Sequence, residues 1–126
     1  MPGYLDERNI PVSVEDTAAG TDVESAVYYA DRKMDIREVW VASNAALTTD
    51  VNDYVTIELK QGANVVATLS TVATGLTAKT FRQLTLTAAN ARIEAGETLT
   101  VAITNAGSNG KATNNLQFSI LAAMVN

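Results

Sequence analysis

The chain has 126 residues and a net charge of −5 at neutral pH, and it contains neither cysteine nor histidine. A chain of this length can bury a core without disulfides. The two missing residue types exclude thiolate metal ligands and catalytic sites built on a cysteine nucleophile or a histidine base. We therefore expect a protein that is not an enzyme and that uses no metal or cofactor.

Charge and hydropathy patterning also bear on the partners. The one cluster of basic residues is the pair Arg32-Lys33, which is too little to bind a phosphate backbone and predicts no nucleic-acid partner. The longest wholly apolar run, 120–125, is far shorter than the ~20 residues that span a bilayer and predicts no membrane partner. Residues 1–8 lack the basic and apolar regions of a signal peptide, so we expect folding in the compartment of synthesis.

Alternation of apolar and polar residues predicts a series of short strands. A turn at 61–64 joins two of them into a hairpin, and residues 86–93 leave room for at most one helical turn. Seven or eight antiparallel strands without a long helix predict an all-β, single-domain sandwich or barrel. In chain order the predicted strands lie at 10–14, 25–31, 35–43, 54–60, 65–69, 80–87, 98–104 and 116–124.

The same alternation predicts which side chains are buried. Residues facing one side of the most regular strands are apolar, whereas their neighbours are threonine or charged. Trp40, between Val39 and Val41, is expected in the core or at an interface rather than on an exposed sugar platform. The predicted core comprises Val55, Ile57, Leu59, Leu99, Val101, Ile103 and Phe118.

Residues 1–22 carry mixed charge and little periodicity, and they predict an extended N-terminal arm ahead of a domain at 23–126. Tyr4 and Leu5 are the expected anchors on a partner, Arg8 would pair with a carboxylate, and Ile10 would lie along the same surface. The alternative is a strand at the edge of the chain's own sheet. Tyr28 and Tyr29 are adjacent, so a strand directs them to opposite faces, and we expect Tyr28 to join the partner interface.

Three other groups of residues contain side chains that could carry chemistry. Glu38 and Glu58 could in principle act as paired carboxylates, but both alternate with apolar positions and are expected to face solvent. The sequence 50–53, Asp-Val-Asn-Asp, brings oxygen ligands together but departs from the calcium-loop pattern, which favours a capped turn. The stretch 107–111 lacks the spacing of a phosphate-binding loop and predicts a surface loop.

Two segments resemble small jelly-roll proteins of tailed-phage particles. Residues 45–57 read Ala-Ala-Leu-Thr-Thr-Asp-Val-Asn-Asp-Tyr-Val-Thr-Ile, and residues 93–101 read Ile-Glu-Ala-Gly-Glu-Thr-Leu-Thr-Val. The first is similar to an Ala-Leu-Thr-x-Asp turn that leads into Asn/Asp-Tyr and an alternating strand in those proteins. The second is similar to the entry into one of their late strands, a motif that carbohydrate-binding modules share.

The resemblance implies a β-sandwich of the jelly-roll type and a capsid decoration, or cement, protein. Such proteins are often dimers or trimers, and they bind the major capsid protein on the outside of the virion and bridge neighbouring shell subunits. Synthesis would then take place in the host cytoplasm. The alternative function is a non-catalytic ligand-binding module, for carbohydrate or a receptor, on a fibre or tail.

Overall fold

The structure, a computed structural model, describes residues 4–125, with side chains from residue 6 onward. Ten strands and one short 3₁₀ turn, Ala88–Asn90, make up its regular elements, so the expectation of an all-β chain is confirmed. The strands are β1 (Tyr4–Val14), β2 (Val23–Tyr29), β3 (Met34–Ala42), β4 (Tyr54–Gln61), β5 (Asn64–Ser70), β6 (Arg82–Gln83), β7 (Thr85–Leu86), β8 (Arg92–Ile93), β9 (Thr98–Ala106) and β10 (Leu116–Val125).

The strands form two antiparallel sheets. Sheet I has the order β1-β10-β3, with β6 and β8 both paired to the far side of β3. Sheet II has the order β2-β9-β4-β5-β7. Apolar residues from both sheets belong to one buried cluster, which is the arrangement of a β-sandwich.

The core follows from the strand register. In sheet I, Ile10 on β1, Ile120 on β10 and Val39 on β3 lie side by side and face inward. In sheet II, Ile57 on β4 pairs with Ile103 on β9. All seven residues predicted as core are at most 2% exposed, so that prediction is confirmed. The alternation sufficed because, around these seven positions, most of the intervening residues of the strands are polar and lie on the opposite face.

The predicted arm at 1–22 is wrong for the part that the structure describes. Residues 4–14 form β1, which pairs along its length with β10. Ile10 is 7% exposed and Val14 is 5% exposed, and both belong to the common core. Glu7, Asn9 and Ser13 face away from the core, and Asp6 pairs with Arg8 near the start of the strand, so these polar residues need no burial. The predicted boundary at residue 22 therefore does not separate an arm from the sandwich.

The four longer loops, at 15–22, 43–53, 71–81 and 107–115, are tied to one another by hydrogen bonds. The β1–β2 and β9–β10 loops meet through backbone bonds between Thr17 and Thr113, and the β3–β4 and β5–β6 loops through reciprocal bonds between Leu47 and Leu76. Gly75 is required here, because a Cβ at that position would lie 2.1 Å from the carbonyl oxygen of Leu47.

Candidate functional site

Two of the predicted interface residues lie where β1 approaches β2 at one edge of the sandwich. The Arg8 side chain is exposed, and its Nε donates to Oδ2 of Asp6 over 2.9 Å. That hydrogen bond and the charge of Asp6 raise the pKa of Arg8, and Tyr28 and Asp31 lie close enough to add to the effect. Arg8 and Tyr28 therefore lie on the two strands that approach each other at this edge, β1 and β2.

The other predicted interface residues have different fates. Ile10 is part of the core, so its assignment to a partner surface is corrected: a buried side chain cannot anchor a partner without unfolding the edge. The side chains of Tyr4 and Leu5 lie outside the described residues. Tyr28 packs partly against the core, whereas Tyr29 is 64% exposed. A bulge in β2 between Ala26 and Tyr28 sets this choice, and the sequence pattern does not reveal the bulge.

A second candidate surface is a groove of about 550 Å³ on the outer face of sheet I. Pro11 on β1, Ser119 on β10 and Trp40 on β3 are register partners that form one outward row across the sheet. Leu121 lines the groove beside them, and Phe81, which is 49% exposed, lines it from the loop before β6. Trp40 is therefore not a core residue, because its neighbours Val39 and Val41 take the inward positions.

Polar side chains border this groove, and their hydrogen bonds fix them in place. The indole Nε1 of Trp40 donates to Oε1 of Glu38 over 2.9 Å. The hydroxyl of Ser119 and Oδ1 of Asn9 are 2.9 Å apart and form a hydrogen bond. Nε2 of Gln117 donates to a neighbouring asparagine over 2.9 Å. The groove therefore combines two aromatic rings with oriented carboxylate and amide groups.

The carboxylates of the acidic turn at 50–53 hold this turn together and tie it to the β9–β10 loop, and this set of hydrogen bonds is a structural clamp. Oδ1 of Asp50 accepts from the backbone N–H groups of Asn52 and Asp53 over 2.9 and 3.1 Å, and Oδ1 of Asp53 accepts from those of Asn109 and Gly110 over 2.9 and 3.3 Å. These backbone donors lower the pKa of both carboxyl groups. Nζ of Lys111 lies 3.5 Å from Oδ2 of Asp50. The carboxylate oxygens thus join two loops, as the capped-turn interpretation predicts.

The remaining candidates are separated by the fold. Glu38 lies on sheet I and Glu58 on sheet II, each at an outward position, so the two carboxylates do not form a pair. Within residues 4–125, no group of three or more acidic side chains is placed to hold a metal ion. Nor does that part of the chain contain a helix long and apolar enough to cross a membrane. Residues 107–111 lie in the loop between β9 and β10.

Comparison of the chain with protein-family models, with curated proteins and with solved structures finds no match.

Proposed function

We propose that this protein is a jelly-roll capsid decoration protein, which binds the outside of a tailed-phage shell and bridges neighbouring subunits of the major capsid protein. The strand pairing supports the jelly-roll assignment. β1 pairs with β10, β2 with β9, β3 with both β6 and β8, and β4 with β5. The first strand of the chain pairs with the last, the second with the next to last, and so on inward to β4 and β5. Nested antiparallel pairs of this kind, divided between two sheets, are the connectivity expected of a double-sheet jelly roll.

The observation that carries the docking role is the exposure of two side chains on the strands that meet at the β1–β2 edge, Arg8 on β1 and Tyr29 on β2. Arginine and tyrosine are enriched among the residues that dominate protein–protein binding energy. Tyr29 exposes 64% of its surface in the free chain, so a partner can bury a large aromatic ring there. Tyr28 packs against the core and pairs with Leu99 on β9, which fixes the strand that presents Tyr29.

Shell binding tests this proposal directly. Shells assembled from the major capsid protein of the genome that encodes this chain would be mixed with purified protein and sedimented. We expect Tyr29→Ala and Arg8→Ala each to weaken co-sedimentation by about tenfold or more. The matched control is Phe81→Ala, which removes an exposed ring from the outer face of sheet I and should leave shell binding unchanged. Wild-type protein that stays in the supernatant, or variants that bind as well as wild type, would refute the proposal.

A second candidate function is a ligand-binding module on a fibre or tail. The groove on sheet I favours it, because Trp40 and Phe81 line a concave surface together with fixed polar groups. Small-molecule sites typically combine these two features. The two candidates use different surfaces of the same sandwich and can therefore be tested separately.

A further inference from the structure

We infer that the groove on the outer face of sheet I binds a neutral saccharide. The inference rests on the second candidate function, ligand binding, and is independent of attachment to a shell. Trp40 on β3 and Phe81 in the β5–β6 loop supply aromatic surface to the groove. Sugar rings carry apolar C–H faces that pack on aromatic rings, and they carry hydroxyls around the rim that need donors and acceptors.

The polar border of the groove supplies both kinds of partner. Glu38 uses Oε1 to accept from Trp40, which leaves Oε2 as an acceptor for a hydroxyl. The bond between Ser119 and Oδ1 of Asn9 orients that amide, so that its Nδ2 can serve as a donor. Gln117 donates through Nε2 to Asn115, which leaves its Oε1 as an acceptor. Hydroxyls donate and accept at once, and they complement such a mixed set.

Charge and size narrow the ligand class. None of the residues that line the groove is lysine or arginine, and one of them, Glu38, is acidic. An anionic ligand such as a phosphate or a sialic acid would therefore meet a carboxylate without a compensating cation. A volume of about 550 Å³ lies within the range of small-ligand sites. These features favour one or two neutral sugar units.

The sizes of the side chains in the outward row Pro11–Ser119–Trp40 explain why a groove exists beside the indole. Ser119, the register partner of Trp40 on β10, is small, and Pro11 beside it on β1 is compact. A larger side chain at position 119 would fill the space next to the indole. The hydrogen bond from Trp40 to Glu38 holds the ring in one orientation, so less conformational entropy is lost when a ligand binds.

The sole tryptophan of the chain makes the test direct, because all indole fluorescence reports on this groove. The protein would be titrated with lactose, maltose, cellobiose and diacetylchitobiose, and with 3′-sialyllactose as the anionic comparison. We expect at least one neutral disaccharide to change the emission with a Kd in the millimolar range. We also expect Phe81→Ala and Ser119→Leu each to raise that Kd by about fivefold or more. Tyr29→Ala should leave it unchanged.

Amide chemical shifts and shell binding of the variants show whether a failed titration concerns the saccharide site or the decoration function. Amide chemical shifts in a labelled sample should move for Ser119, Leu121 and Trp40 on sugar addition, which locates binding even where the fluorescence change is small. No response to any neutral sugar up to about 50 mM, or stronger binding of 3′-sialyllactose, would overturn the inference. If Phe81→Ala instead abolished shell binding, the groove would be a protein-docking surface. Loss of shell binding in Tyr29→Ala alone concerns the decoration function and leaves the saccharide site intact.

Discussion

Truncation of Ile120 tests the register of the central strand of sheet I. Ile120 is fully buried, between Ile10 on β1 and Val39 on β3. Ile120→Ala removes three carbon groups, which is about 2.4 kcal/mol of transfer free energy at about 0.8 kcal/mol each. The cavity that remains raises the expected loss to about 3–4 kcal/mol. For a domain of this size the melting temperature should fall by about 10–15 °C.

The matched control is Leu121→Ala on the same strand. Leu121 is partly exposed and lines the outer groove, so its truncation should cost about 1 kcal/mol or less. Urea unfolding followed by far-UV circular dichroism would measure both losses, with equal m-values as a check on two-state behaviour. A loss below about 1 kcal/mol for Ile120→Ala, or equal losses for the two variants, would show that β10 does not present these faces as described.

Three further predictions concern the pairing of β1 with β10, the close packing of Gly107, and the hydrogen bonds of Asp53 in the turn at 50–53. Deletion of residues 1–9 removes the pairing of 4–9 with β10, so it should lower the free energy of unfolding by about 2 kcal/mol, and an unchanged urea midpoint would instead indicate a free arm. Gly107→Ala places a Cβ 2.0 Å from the carbonyl oxygen of Asn52 at a φ of +87°, so it should cost about 3 kcal/mol or more. The control is Gly62→Ala, where the added Cβ has no atom within 4 Å and φ is +59°, so the free energy of unfolding should fall by only about 1–2 kcal/mol. Equal losses for the two variants in thermal melts would contradict the close packing of Gly107 against Asn52. The lowered pKa of Asp53 means that its charged form stabilises the fold above the ordinary carboxyl pKa of about 4 and that this contribution is lost as the pH falls through the folded-state value. Asp53→Asn should therefore flatten the fall of the melting temperature in acid, and identical pH profiles would show that the clamp is not coupled to folding.

The sequence predicted those elements in which one face of a strand is buried and the other is solvated. In β4 and β9 every second residue is apolar, so period and face could be assigned from local pattern alone. The segment 80–87 was predicted as one strand, but the structure divides it. Arg82–Gln83 joins sheet I and Thr85–Leu86 joins sheet II, with Leu84 buried between them. A crossing between sheets depends on tertiary packing, which a local periodicity does not encode.

The candidate sites were harder to predict for a related reason. The sequence identified Arg8 and Tyr28 as interface residues, but the exposed ring is Tyr29, because a bulge in β2 shifts the alternation. The groove joins Trp40 to Phe81, which are far apart in sequence and on different elements. The sequence Val39-Trp40-Val41 does indicate a strand, but alternation alone leaves open whether the two valines or the tryptophan face the core. The pairing of β3 with β10 decides it.

The two outer faces of the sandwich differ in the side chains that they present. On the outer face of sheet II the rows that cross β4 and β9 consist mainly of threonine and charged residues, such as Thr56 beside Thr104, as expected for a solvated face of an antiparallel sheet. On sheet I the outward positions at Trp40 and Leu121 are large and apolar, although the core beneath them is already closed by inward residues of the same strands. The proposed saccharide site gives both side chains a role, and the Phe81→Ala and Leu121→Ala variants distinguish that proposed role from a contribution to folding.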